Sequence, residues 1–131
     1  MGIQVSWHDE HKTIMLQVFE GKWTLEDYYR LVDEAAALIR PLPHTVHIIA
    51  DASRSALPPS QMVSGMRYAL NKMPSNQGIT VFVQPGTLAS ALIDLAKRFS
   101  PRAASTVFIA ASREDALALI AQHADGTSNG T

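Results

Sequence analysis

Thr45-Val46-His47-Ile48-Ile49-Ala50-Asp51 runs directly into Ala52-Ser53-Arg54-Ser55-Ala56-Leu57-Pro58-Pro59-Ser60. The first seven residues are mostly β-branched and apolar, the composition of a central strand covered on both faces. They deliver Asp51 at the strand's carboxyl end. Pro58-Pro59-Ser60 then opens a helix, because proline is tolerated in a first turn whose N–H groups have no intrahelical partner. Met62, Met66, Leu70 and Met73 give that helix an apolar stripe up to Pro74. A strand, a polar loop and a helix in this order are the repeating unit of an α/β sheet.

Upstream, the apolar runs Ile3 to His8 and Thr13 to Phe19 are parted by Asp9-Glu10-His11-Lys12, the spacing of a hairpin. Ile14, Leu16 and Val18 alternate with Met15, Gln17 and Phe19, so both faces of the second strand are covered. Thr24 and Asp27 make a capping-box pattern, and Tyr28, Val32, Ala35 and Ile39 recur at helical spacing until Pro41 and Pro43. Tyr28 and Tyr29, being adjacent, cannot both face inward. Downstream, Ile79 to Val83 reads as a buried strand, and Leu88, Leu92, Leu95 and Phe99 as a helix closed by Pro101. Thr106 to Ala111 is the last strand, and Ser112 with Asp115 caps a helix carrying Ala116, Leu119 and Ile120.

The predicted order is β, β, α, β, α, β, α, β, α. An opening hairpin followed by alternating elements implies a mixed sheet, mostly parallel and flanked by helices, with ligand sites at the carboxyl ends of its strands. One domain over residues 1–123 accounts for the pattern, and the Gly/Ser/Thr-rich residues 124–131 read as a flexible polar tail.

The chain has 131 residues, 47% of them apolar, enough for one core without disulfides or metal. Its net charge of −1, with both signs interspersed, gives no field that favours nucleic acid. The absence of cysteine excludes thiol catalysis and thiolate metal sites and fits a reducing cytoplasm. Met1-Gly2-Ile3-Gln4-Val5-Ser6 lacks a basic region followed by an apolar stretch, and no apolar run is long enough to span a bilayer. The expected location is cytoplasmic.

Asp51, Ser53, Arg54, Ser55, Ser60 and Met62 form the candidate partner- or ligand-binding segment. It combines a strand-end carboxylate, hydroxyls, a counter-charge and a helix N-terminus that attracts anions. The same residues suit a local role, with Ser60 opening the helix and Asp51 tying down the loop. His8 and His11 lie across a turn without a third ligand, and His47 alternates into a strand. Nothing places His47 and Asp51 together as an acid/base pair. There is no G-x-S-x-G elbow after a strand, no G-x-G-x-x-G and no P-loop. The reading is therefore non-enzymatic, with no cofactor and no metal.

The element order, the hairpin ending in Phe19-Glu20-Gly21, the strand Ile48-Ile49-Ala50-Asp51 and the serine-bearing loop resemble a STAS domain of the SpoIIAA-like, anti-sigma-factor-antagonist group, over about residues 3 to 123. The resemblance implies a regulatory, protein-interaction role in which loop and helix meet a partner such as a serine kinase of the anti-sigma type. The family's phosphoregulated members carry a D-S-S-G phosphoacceptor motif in this loop. Here the stretch reads Ala56-Leu57-Pro58-Pro59, or Ser53-Arg54-Ser55 if the loop is shifted, so the motif is absent. SpoIIAA-like chains are also grouped with lipid-binding folds, and the second reading is a binder or carrier of a small apolar, lipid-like ligand. Such a carrier needs a cavity between sheet and helices, lined by Met62, Met66, Phe82 and Leu92. Self-association as a homodimer through an apolar helix face is open to so small a domain.

Overall fold

The computed structural model describes residues 2–55, 59–83, 98 and 105–129, with backbone alone at 59–63 and 124–129. In chain order the elements are β1 (Gly2–Trp7), β2 (Ile14–Glu20), α1 (Leu25–Ile39), β3 (Val46–Arg54), α2 (Pro59–Lys72), β4 (Gln77–Val83), β5 (Val107–Ala110) and α3 (Arg113–Asn129). The strands form one five-stranded sheet in the order β1-β2-β3-β4-β5. β1 and β2 are antiparallel, and every later pairing is parallel. The expected mixed α/β sheet is thus present. The helix predicted from Leu88 to Phe99 lies outside the described residues.

Local chemistry sets the element ends. Asp9 holds the hairpin turn by accepting from Thr13 N at 2.9 Å and Ile14 N at 3.2 Å, and Lys12 takes the left-handed conformation that closes it. Thr24 and Asp27 make the predicted capping box, with Asp27 N donating to Thr24 Oγ1 and Thr24 N to Asp27 Oδ2. Ser112 Oγ accepts from Asp115 N at 3.1 Å. Once so capped, α3 runs to Asn129, beyond the end near residue 123 that composition predicts. Extending a nucleated helix is easy compared with starting one.

β3 sorts the molecule into two layers. Val46, Ile48, Ala50 and Ala52 face α1 and α2, together with Met15 and Phe19 of β2, Leu31, Ala35 and Ile39 of α1, and Met66 of α2. Ile49 faces the other way, joining Ile79, Val81 and Val83 of β4, Ala110 of β5, and Ala116 and Ile120 of α3. Full burial of Phe19, Met15, Ile39 or Ile49 contributes about 2 kcal/mol each. At the amino end, Asn76 Nδ2 donates to the carbonyls of Ile39, Leu42 and His44, fastening the end of α1 to the start of β3.

His47 lies on the α3 side of β3, where its Nδ1 accepts from Ile79 N at 3.0 Å. Burial and the nearby His123 hold its pKa below the ordinary value, so the ring stays neutral and keeps its acceptor. The ring occupies the space a side chain at Gly78 would need, since a Cβ there would run into His47 Nδ1 and Cε1. Gly78→Ala should destabilise the chain by about 2 kcal/mol in urea titration. In a Gly78→Ala/His47→Ala double variant most of the Gly78 cost should vanish, because the colliding ring is gone.

Candidate functional site

Two polar side chains are buried among the described residues, Asp51 and Gln17, and they sit on opposite faces of the sheet. Asp51 projects from β3 toward the N-terminus of α3. Its Oδ2 pairs with Arg113 Nε at 2.6 Å, and its Oδ1 accepts from Ser53 N at 3.0 Å and Ser53 Oγ at 2.6 Å. Burial pushes the Asp51 pKa up, but the Ser53 hydrogen bonds and the Arg113 guanidinium outweigh it and hold the carboxyl below its ordinary 3.8. β3 runs on to Arg54 instead of ending at Asp51 as its apolar run suggests, so Ser53 belongs to the strand and the carboxylate is a fastener between β3 and α3.

The other predicted site residues divide. Ser53 joins Asp51 and is exposed. Arg54, exposed, reaches Glu20 of β2 at 3.8 Å rather than the Asp51 cluster. Ser55 turns to the opposite layer, where its Oγ accepts from Trp23 Nε1 at 2.6 Å and donates to Gly21 O at 3.3 Å. Ser60 and Met62 fall in the first turns of α2, and their side chains lie outside the described residues. Arg113 was not legible as the partner of Asp51, because the two are 62 positions apart and only the return of α3 across the sheet joins them.

The larger feature is a cavity of about 90 Å³ between the α1–α2 layer and the sheet. Its aromatic wall is Phe19, Trp23 and Tyr28, with Phe19 and Trp23 edge to face at 5.3 Å and Trp23 and Tyr28 at 6.0 Å. Tyr28 is the inward member of the tyrosine pair, and burial pushes its phenol up to about 12. Tyr29 stacks outside on Tyr68 at 4.3 Å, and Tyr68 donates to Asp33, joining α2 to α1. Met66 and Phe82 line the cavity, as the carrier reading requires, while the Met62 side chain and Leu92 fall outside the described residues. Small residues keep the space open: Ala36 of α1, Ala52 of β3 and Ala69 of α2 stand on its walls. Gly65 lets the Tyr28 ring approach α2, since a Cβ there would come within 3.2 Å of it. An empty volume of this size forgoes about 2 kcal/mol of packing.

Gln17 stands on the sheet wall of this cavity, 7% exposed. Its Nε2 approaches Met15 Sδ at 3.8 Å, and among the described residues its amide oxygen has no partner. Of the other polar groups on the wall, Gln77 Nε2 donates to Thr80 Oγ1 at 3.4 Å and Trp23 Nε1 to Ser55 Oγ. The available sequence signal was one amide within the apolar alternation Met15-Leu16-Gln17-Val18-Phe19. Among the described residues no cluster of three metal-ligating side chains occurs, and no helix is long and apolar enough to cross a membrane.

Replacing Asp51 with Asn should cost about 2 kcal/mol at pH 7, since Arg113 loses its counter-charge. Because the folded pKa lies below 3.8, the carboxylate's contribution is complete above that value and is lost as pH falls below it. The gap between wild type and Asp51→Asn should therefore narrow from pH 7 to pH 3 in parallel urea titrations. No family model, no curated protein and no solved structure matches the chain.

Proposed function

We propose that the chain is a non-enzymatic module that binds a small, mainly apolar molecule between the α1–α2 layer and the sheet. The observation that carries this reading is the aromatic-walled cavity of about 90 Å³ with, on its wall, an amide oxygen that has no partner among the described residues. Concave, mostly apolar sites with few polar groups are the usual form of small-molecule sites. A cavity of about 150 Å³ holds a benzene ring, so a single ring is the upper size limit for an occupant of this smaller space. A STAS identity of the SpoIIAA-like kind belongs to the same proposal, supported by the opening hairpin, the parallel strands that follow and the serine loop after β3.

A regulatory role through a protein partner stands as the second reading, supported by the exposure of Ser53 and Arg54 at the carboxyl end of β3. The two readings meet physically at one hydrogen bond. Trp23 forms part of the cavity wall, and its indole N–H donates to Ser55 of the loop at 2.6 Å, so an occupant that moves Trp23 moves the loop.

Trp7 and Trp23 are the two tryptophans, so Trp7→Phe leaves Trp23 as sole reporter. Titration of that variant with toluene should shift the Trp23 emission with a Kd below about 1 mM. Adding Ala69→Leu, which fills the cavity from α2, should abolish the shift while leaving the thermal midpoint unchanged or higher. A flat titration in the Trp7→Phe background, or a response that survives Ala69→Leu, would remove the cavity reading.

A further inference from the structure

We infer that the cavity is built for an uncharged, single-ring molecule carrying one hydrogen-bond donor, a hydroxyl or ring N–H of the phenol or indole type, and that Gln17 Oε1 receives that donor. The inference rests on the ligand-binding reading above and adds the polarity of the occupant. A thioether sulfur can only accept, so the contact at 3.8 Å assigns the Gln17 NH₂ to Met15 Sδ. The amide oxygen is left as an acceptor in a side chain that is 93% buried, from the 7% exposure. Such a group loses its hydration on folding and recovers a hydrogen bond from a protein donor, an ordered water or a ligand. Among the described residues no donor supplies it.

Charge narrows the class. Among the described wall residues the charged side chain is Lys72, which is exposed and whose Nζ lies 5.5 Å from the Tyr68 ring centre. A carboxylate or phosphate at Gln17 would be buried without a counter-charge and beside an acceptor oxygen, which disfavours both. The Phe19, Trp23 and Tyr28 rings offer faces and edges to a planar ring. Thr80 stands on β4, two strands from Gln17 or about 10 Å away, so a single ring satisfies one of these groups and not both.

Phenol and toluene differ by a hydroxyl in place of a methyl, and the ratio of their affinities isolates the donor. Both are titrated by calorimetry into the full chain and into Gln17→Met, a change of similar length that removes the amide. Wild type should favour phenol over toluene by roughly tenfold more than Gln17→Met does. Phenol, and not toluene, should also move the Gln17 side-chain NH₂ resonances of the wild-type protein, a readout that stands even if the variant does not fold. If both ligands bind while the ratio and the amide resonances stay unchanged, the role of Gln17 is overturned and the apolar cavity reading survives. If neither ligand binds, the cavity reading falls and takes this inference with it.

Discussion

From Val46 to Ala52, β3 has no solvent side. It is hydrogen-bonded to β2 and β4 along its edges and covered by α1 and α2 on one face and by α3 on the other. A strand in that position has to be apolar on alternate residues in both directions, and any polar group it or its neighbour carries must be answered within the protein. The placement of every other element follows. The hairpin partner β2 is sealed on the α1 side by Met15 and Phe19, and the parallel order requires each helix to return across the sheet.

The two buried polar groups respond to this constraint in opposite ways. Asp51 is answered in full by Ser53 and Arg113, and in consequence its chemistry is spent on holding the carboxyl end of β3 to α3. Among the described residues Gln17 is answered by a thioether alone, and it faces a space bordered by aromatic rings and alanines. A side chain whose hydrogen bonds are all made inside the protein has little left for a ligand, whereas one with an unmet acceptor beside a cavity is placed to recognise something. For the proposed ligand, the interior therefore favours the α1–α2 face over the polar strand end. Ser55 joins the two regions through Trp23.

Much of this was legible in the residues. The β-branched run from Val46, the alternation in β2, the Thr24/Asp27 box and the Ser112 cap each name a local structure through local chemistry, and each takes that structure here. The candidate site was legible only in part. Asp51 and Ser53 do come together, because they are two residues apart on one face of β3. Arg54 diverges to Glu20 and Ser55 to Trp23, since successive residues leaving a strand point to opposite sides. The Arg113 pairing and the Gln17 environment are long-range consequences of packing, which no local spacing encodes. Met66 and Phe82 were placed on the cavity wall from their apolar periodicity, but that periodicity looks the same in a filled core and in a hollow one.

The central claim is that the space above Gln17 holds a ring with its donor on the amide oxygen, and a crystal structure of the chain grown with phenol addresses it most directly. The expected result is a planar density between the Phe19/Trp23 rings and Met66, with the phenol oxygen about 3 Å from Gln17 Oε1. A cavity filled by ordered water bonded to Gln17, with phenol nowhere in it, would contradict the claim.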